Sequence, residues 1–430
     1  MRIAIISDTH LGDTNSVMAF RDKTSGEIIV GSKYREFIKK VRDQFNGVQV
    51  DFLVLLGDIL DFSISSYPEA YAIGQFFFQK LKDDNICREI IYVPGNHDYD
   101  IWHSVEYATN VTNRINNKKL PIPFRQSVPA ILDDRQGTNM EGLTLLHVTP
   151  KNEDGGPKYA GLFMDNITDP PSHFNFVYPN IYLITHEESI IITHGQYLDV
   201  YWSVLGKWGL KIINGDLDLR DPRLMDLKEM VQVNFPLCQL NSSGLGQAGP
   251  LTFAIQKLEH EIKEKYFVRL NSYFYRLDKE IKEKHKGLTR LFLRWALKLV
   301  KHEALKALSR TKPARYREDF QKNPAVCERT QDYYSSSIYE IGEIEKIYDV
   351  KIPFPTTMIF GHTHKPIPFG SSKAPLLDIV QLPEGKKLVM YNTGGWLSSM
   401  SHKKQPQFCG AEIFFYETGK GISSVSITEW

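Results

Sequence analysis

The sequence is poor in cysteine. Four cysteines occur among 430 residues and no two form a C-x-x-C pair; they are Cys87, Cys238, Cys327 and Cys409. Disulfide frameworks and thiolate-bound metal sites both need cysteines at short, regular spacings. We therefore exclude a cysteine-based metal site and expect a protein of a reducing compartment.

Long apolar runs are also missing. The longest uncharged segment, residues 230–256, is interrupted by prolines and glycines, which makes it a poor membrane span. The opening "MRIAIISDTH" reaches Asp8 too soon to form the apolar part of a signal peptide. We expect a cytoplasmic protein, with peripheral contact to a membrane as the alternative.

The chain as a whole has no excess of either charge, because its formal net charge is +1. That balance argues against a protein that binds polyanions over its whole surface. Hydrophobic residues make up 42% of the chain, an ordinary share for a globular protein. The length suits two domains, or one large domain with an insertion.

Five short apolar runs end in residues that bind metal ions. The runs are "RIAIIS", "DFLVLLG", "EIIYVPG", "SIIITHG" and "MIFGHTH". The residues that follow or end them are Asp8 and His10, Asp58 and Asp61, Asn96 and His97, His194, and His362 with His364. Segments of helical pattern separate the first three runs, which indicates β-α-β units with buried strands. Active sites of such folds lie at the carboxyl ends of strands.

Each of these residues also has an ordinary structural explanation. Asp8 or Asp58 could cap a helix, Asn96 could form a turn, and His194 could be an interior histidine. Five such coincidences at the same kind of strand end are hard to accept. The set of carboxylates, an amide and imidazoles suits Mn, Fe, Zn or a similar divalent ion. Even seven of these residues would be too many ligands for one tetrahedral ion, so we expect two ions that share a carboxylate.

The order of these motifs resembles that of the calcineurin-like metallophosphoesterases. The motifs are "SDTH" at Ser7–His10, "GDILD" at Gly57–Asp61, "GNHD" at Gly95–Asp98, "THG" at Thr193–Gly195 and "GHTH" at Gly361–His364. The resemblance implies an α+β fold with four layers (α/β/β/α), in which a central two-sheet β-sandwich is flanked by helices. We expect the catalytic domain to comprise residues 1–204 and 350–430, with residues 205–349 inserted as a helical cap.

The resemblance also implies roles for the site residues. One metal would be held by Asp8, His10 and His364, and the other by Asn96, His194 and His362, with Asp58 bridging the two. His97 would protonate the leaving group, and Asp61 and Asp98 would support the ligands. The implied reaction is hydrolysis of a phosphate monoester, diester or pyrophosphate by in-line attack of a metal-bridging hydroxide. Manganese is the favoured metal.

The inserted region is basic. Residues 256–322 contain 19 Lys and Arg against 9 Asp and Glu. Such a surface could steer an anionic substrate, contact an anionic membrane or bind nucleic acid. The helix predicted from "LTRLFLRWALKLVKHEALKAL" has Leu288, Leu291, Phe292, Trp295 and Leu299 on one face. The preceding helical pattern ends at Gly287.

Three functions are therefore considered. The first is the general phosphoesterase described above, of which a membrane-surface pyrophosphohydrolase similar to the UDP-diacylglucosamine hydrolases is a special case. The chain has His97 where many of those enzymes carry arginine. The second is a DNA nuclease of the Mre11/SbcD type, whose opening motif is similar to "SDTHLGD". The third is a non-enzymatic interaction module, which lost ligands would mark, and none is lost here.

Three further strands are predicted after the last motif. They lie in "KLVMYNTGG", "AEIFFYET" and "ISSVSITEW", and we expect all three to complete the second sheet.

Overall fold

The structure is a computed structural model that describes residues 1–125, 127–145, 164, 166–170, 172, 174–203, 227–245, 268–310, 320–400 and 406–427. The strands are β1 (Arg2–Ile6), β2 (Ala19–Arg21), β3 (Ile28–Val30), β4 (Val50–Leu56), β5 (Cys87–Val93), β6 (Ala130–Asp133), β7 (Gly142–Leu145), β8 (Phe174–Phe176), β9 (Asn180–Ile184), β10 (Ser189–Thr193), β11 (Pro355–Phe360), β12 (Leu376–Leu377), β13 (Leu388–Asn392), β14 (Ser398–Met400), β15 (Pro406–Phe408), β16 (Ala411–Glu417) and β17 (Gly421–Ile427). The helices are α1 (Ser32–Gln44), α2 (Tyr67–Asp84), α3 (Tyr99–Tyr107), α4 (Asn113–Asn116), α5 (Leu227–Leu245), α6 (Val268–Lys284), α7 (Gly287–Arg310) and α8 (Pro324–Tyr348).

Two large sheets form the centre of the molecule. The first has six strands in the order β17-β16-β1-β4-β5-β8, in which β1, β4, β5 and β8 run parallel. The second has seven strands in the order β12-β13-β11-β10-β9-β6-β7, in which β10, β11 and β13 run parallel. Parallel strands need covered faces and crossover connections, which α1 and α2 supply for β1, β4 and β5.

Alternating side chains of each strand face two different cores. In β1, Ile3 and Ile5 pack with residues of the second sheet, whereas Ala4 and Ile6 belong to the core under the helices. This period of two is that of a β-strand buried on both faces. The arrangement gives helices, two packed sheets and helices again, so the predicted α+β sandwich is confirmed.

Helix α2 shows how local sequence sets these boundaries. Ser66 accepts a hydrogen bond from the Glu69 N–H group, and Pro68 lies in the first turn. Both features are typical helix starts, because they satisfy or remove unpaired amide donors. The helix ends at Asn85, which adopts a left-handed backbone conformation with φ 52°.

The C-terminal strands partly correct the sequence analysis. β13 joins the second sheet as expected, but β16 pairs antiparallel with β1 and β17 pairs with β16. They therefore extend the first sheet. Strand patterns identify the elements, but the choice between two open sheet edges depends on long-range packing that periodicity does not encode.

Helix α8 packs against the second sheet. The Tyr334 hydroxyl donates to the Pro355 carbonyl at 2.8 Å, and the Tyr182 hydroxyl of β9 donates to Glu340 at 2.7 Å. The Tyr333 hydroxyl lies 3.0 Å from Oγ1 of Thr193, the last residue of β10. The division into residues 1–204 with 350–430 and a cap of 205–349 stays a prediction, and its first boundary lies outside the described residues.

The two helices predicted in the basic region are present as α6 and α7, although Gly287 begins α7 rather than ending the helix before it. Residues 256–267 and 311–319 of that region lie outside the described residues. Across the described parts of the chain, no helix is both long and apolar enough to cross a membrane.

Candidate metal centre

All five predicted strand ends meet at one edge of the sandwich. β1, β4 and β5 are neighbours in the first sheet, and β10 and β11 are neighbours in the second. Backbone hydrogen bonds join the loops that follow them: Asp8 N–H donates to the Gly57 carbonyl at 3.0 Å, and Gly361 N–H donates to the His194 carbonyl at 2.9 Å. Segments far apart in sequence thus form one rigid centre.

Five of the candidate ligands adopt left-handed backbone conformations. The φ angles are 53° at Asp8, 46° at His10, 52° at Asp58, 67° at His362 and 55° at His364. A non-glycine residue rarely adopts a positive φ, and such residues cluster where function requires a strained backbone. Each of the five residues lies two to four positions after the last residue of its strand.

At two motif positions a carboxylate from another loop comes so close to the backbone that only glycine fits. A Cβ atom at Gly95 would lie 2.3 Å from Oδ1 of Asp58, and one at Gly361 would lie 2.4 Å from Oδ2 of Asp8. Neither distance is possible between real atoms. The glycines of "GNHD" and "GHTH" therefore make room for carboxylates contributed by other loops.

The first group of candidate ligands consists of Asp8, His10 and His364, all buried. The Nε2 atoms of the two histidines lie 3.0 Å apart. Oδ1 of Asp8 is 3.2 Å from Nε2 of His364 and 3.8 Å from Nε2 of His10. Ligand atoms spaced in this way surround a point about 2 Å from each, the usual bond length to a divalent transition metal.

The second group consists of Asp58, His194 and His362, also buried. Nε2 of His194 lies 3.3 Å from Oδ2 of Asp58 and 3.3 Å from Oδ1 of Asn96. Nδ1 of His362 is buried and has no hydrogen-bond partner among the described residues. A buried ring nitrogen without a partner is costly, and a metal bond would satisfy it.

Asp58 connects the two groups. Its Oδ2 atom lies 3.3 Å from Nε2 of His194 in the second group and 3.8 Å from Nε2 of His10 in the first. Its Oδ1 atom accepts the backbone N–H of His97 at 2.7 Å, which fixes the carboxylate. A carboxylate in this position can serve both groups.

The outward nitrogens of two ligand histidines are held by acceptors. His10 Nδ1 lies 2.8 Å from Oδ2 of Asp61, and His194 Nδ1 lies 2.8 Å from the Leu56 carbonyl. When Nδ1 carries the proton for these bonds, the lone pair of Nε2 points into the centre. Such outer contacts orient metal-binding histidines.

Asp61 also contacts His97. Its Oδ1 atom lies 3.1 Å from Nδ1 of His97 and accepts backbone N–H bonds from Ser63 and Ile64, both at 2.9 Å. His10, Asp61 and His97 are close enough to form a third metal-binding group. Because both oxygens of Asp61 already accept hydrogen bonds, we interpret this group as the orienting network of the first.

Asp98 holds the backbone of two motifs together. Its Oδ1 accepts the N–H of Gly95 at 2.6 Å, and its Oδ2 accepts the N–H of Ile59 at 2.9 Å and the Tyr92 hydroxyl at 2.6 Å. It thus fixes the loop that carries Asp58, and it is not close enough to either candidate group to belong to it.

The carboxylates and imidazoles shift one another's pKa. Burial alone would raise the pKa of Asp8, but hydrogen bonding to His10 and His364 outweighs it and holds this pKa well below its usual value. Burial alone would lower the pKa of His194, yet the charge of Asp58 raises it to about 9. The carboxylates therefore stay ionised, and the centre needs cations or protons to balance their charge.

Asp199 lies beside the second group and was not predicted from the sequence. Oδ2 of Asp199 lies 3.6 Å from Nε2 of His362, and Nε1 of Trp202 lies 3.3 Å from the same atom. Asp199 belongs to none of the predicted motifs. Its only signal is its position five residues after His194.

Arg329 of α8 is the second missed residue. It is 2% exposed, and its Nε donates to the Tyr197 carbonyl at 2.7 Å. Burial lowers the pKa of this guanidinium to about 10, although the charges of Asp332 and Asp199 act in the opposite direction. No motif marks it, because it comes from a helix 132 residues further along the chain than its partner.

The fold and the centre together indicate a metal-dependent hydrolase. The family model of the calcineurin-like phosphoesterases matches residues 1–202. These residues contain four of the five motifs from which the resemblance to that family was predicted. The match ends before His362 and His364, whose place beside the other ligands comes from the structure.

One solved structure similar to this chain is a dimetal phosphatase from Danio rerio. It shares 10% sequence identity over 100% of this chain and 98% of its own, with a TM-score of 0.28. A search of curated proteins found no match.

Proposed function

We propose that the protein is a hydrolase of phosphoric esters or pyrophosphates that uses two divalent cations. Asp8, His10 and His364 would hold the first cation. Asn96, His194 and His362 would hold the second, and Asp58 would be shared. The observation that carries this proposal is the position of Asp58 Oδ2 between the two groups, at 3.8 Å and 3.3 Å from their imidazoles.

The ligand chemistry supports manganese, iron or zinc. Nitrogen and oxygen donors without a thiolate suit these borderline or hard ions, and we propose manganese as the ion of choice. Bound in pairs, such cations polarise a phosphoryl oxygen and activate water at neutral pH.

His97 would protonate the leaving group. Its side chain is 6% exposed, and Nε2 lies 4.0 Å from Oδ2 of Asp58, at the margin of both groups. Asp61 holds Nδ1 and would stabilise the positive charge of the protonated ring. Nε2–H is then free to donate to a departing oxygen.

Three substrate classes remain candidates: small phosphate esters, lipid-linked nucleotide diphosphates and DNA. The residues of the centre act on the phosphoryl group that all three share.

The direct test combines metal analysis with a substrate screen. Purified protein loaded with Mn, Fe or Zn should contain two metal equivalents and hydrolyse p-nitrophenyl phosphate, bis-p-nitrophenyl phosphate or a nucleotide pyrophosphate. The Asp58→Asn variant should bind fewer than two metal ions per chain and lose turnover. The Asp83→Asn variant, which changes an exposed residue of a helix, should keep both. A protein with two bound metals and no hydrolysis of any of these compounds would refute the proposal.

A further inference from the structure

Helices α6 and α7 contact each other and are joined by His285 and Lys286. The ion pair between Arg294 and Asp278, with Nε and Oδ1 2.6 Å apart, connects the two helices. Lys282 contacts the same carboxylate at 2.7 Å. One side of α7 is therefore turned toward α6.

Another side of α7 presents large apolar side chains to solvent. Leu288 is 85% exposed, Leu291 61%, Phe292 63% and Trp295 59%. Their spacing of three and four residues places them in one stripe along the helix. We call these four residues the exposed stripe.

This exposure is concentrated. Eight of the twenty large hydrophobic residues that are exposed in the described parts of the chain lie between residues 268 and 295, including Tyr275 at 70%. Single exposed apolar residues are common on protein surfaces, but a contiguous group of them marks an interaction site.

The same segment is strongly basic. Residues 268–310 contain 12 Lys and Arg and 4 Asp and Glu, a net charge of +8, so the rest of the chain carries −7 of the total of +1. Lys286, Arg290 and Lys298 are exposed near the stripe. The carboxylate of Asp278 is already paired with Arg294 and Lys282.

We propose that the α6–α7 pair docks onto an anionic lipid bilayer, with the exposed stripe entering the interface and the neighbouring cations contacting lipid headgroups. This inference does not depend on the proposed catalytic function. Basic helices with an apolar stripe bind in the plane of such surfaces, and α7 has too many charges to cross the bilayer.

The composition of the stripe favours lipid over the other anionic partners. Single-stranded nucleic acid is bound by aromatic rings that stack on bases, and two of the four stripe residues are leucines, which cannot stack. Leucine, phenylalanine and tryptophan together are the side chains that insert at a membrane interface.

The test is co-sedimentation of the full chain with vesicles. Binding to mixed phosphatidylcholine–phosphatidylglycerol vesicles is expected, with little binding to phosphatidylcholine alone. The double variant Phe292→Ser with Trp295→Ser should lower the partition coefficient by tenfold or more. The double variant Arg290→Gln with Lys298→Gln should lower it by roughly tenfold, and this second loss should be larger at low salt. Leu120→Ser with Val380→Ser, two residues exposed elsewhere, is the matched apolar control and should change nothing.

Two other outcomes would overturn the proposal. If the wild-type chain is a dimer without vesicles and Phe292→Ser with Trp295→Ser makes it a monomer, the stripe is covered by a second copy. If the chain binds oligonucleotides but not anionic vesicles, the partner is nucleic acid. Turnover of p-nitrophenyl phosphate should be equal in wild type and all these variants, which separates this test from that of the catalytic proposal.

Discussion

Oδ2 of Asp61 lies 2.8 Å from Nδ1 of His10, and both side chains are buried. The same carboxylate contacts His97 through its other oxygen at 3.1 Å. One residue outside the ligand groups therefore orients both a candidate ligand and the candidate acid.

Asp61→Asn tests the first of these contacts. The amide has one acceptor oxygen instead of two, so its NH₂ group must face one of the two imidazoles. We expect Mn affinity at the first group to fall about 10- to 100-fold, as is usual when an outer contact of a ligand histidine is lost. Calorimetric titration with Mn measures this affinity, with Asp83→Asn as the control. Unchanged affinity would show that Asp61 does not orient His10.

His97→Asn tests the proposed acid. We expect turnover of an alkyl phosphate to fall by about 10²- to 10⁴-fold while two metals stay bound. The loss should be smaller for p-nitrophenyl phosphate, because its leaving group needs little protonation. His103→Asn, which alters a partly exposed histidine of α3, is the control. An equal loss with both substrates would contradict a role in protonation, and a loss of metal would make His97 a ligand.

Asp199→Asn tests the contact to His362. Asp199 lies 3.6 Å from Nε2 of that ring, while the buried Nδ1 has no partner among the described residues. Without the carboxylate, we expect weaker binding at the second group and metal content near one equivalent per chain at limiting Mn. Asp199→Glu should recover part of the second equivalent. Full occupancy in Asp199→Asn would show that this carboxylate does not position the ring.

Gly95→Ala tests the close approach of two loops. A Cβ atom here would lie 2.3 Å from Oδ1 of Asp58 and 2.6 Å from its backbone nitrogen, so the loops must separate. We expect a loss of stability of about 1–3 kcal/mol and weaker metal binding. Gly342→Ala is the matched control, because its Cβ would meet open space within α8 and should stabilise the helix by about 0.5–1 kcal/mol. Thermal unfolding and metal analysis of both variants measure these effects.

The sequence predicted the strand ends and the residues they bring together. Each motif combines an apolar run, a turn and a polar residue, so Asp8, Asp58 and His194 could be recognised from local pattern alone. Residues that reach the site from outside the motifs have no such local sequence pattern. Asp199 lies six positions after the end of β10 and belongs to no predicted motif, and Arg329 lies on a helix that was predicted to be part of the cap.

Strand pairing was the other limit of the sequence. β16 has a strand pattern equally suited to either sheet, and it pairs with β1, whose residues lie more than 400 positions earlier. Hydrophobic alternation fixes which face of a strand is buried but leaves its partner open. β16 and β17 were therefore predicted in the second sheet, although they belong to the first.

Glu106 of α3 should make stability depend on pH. Its side chain is 0% exposed, Oε2 accepts the Arg125 backbone N–H at 2.8 Å, and Oε1 has no hydrogen-bond partner among the described residues. Burial raises the pKa of this carboxyl group from 4.5 to about 7. The folded state thus binds a proton more tightly than the unfolded state does.

The sign of the effect follows from that difference. Between pH 4.5 and 7 the folded state holds more protons at Glu106, so its contribution to the free energy of unfolding decreases as pH rises and stays low above pH 7. Glu106→Gln removes the titrating group. We expect the free energy of unfolding of the variant, relative to that of wild type, to rise by about 1–3 kcal/mol from pH 5 to pH 8. Urea unfolding at both pH values measures this difference in the free energy of unfolding. Glu384→Gln, which changes an exposed glutamate, is the control. A difference between variant and wild type that does not change with pH would mean that Glu106 is ionised in the folded protein throughout this range.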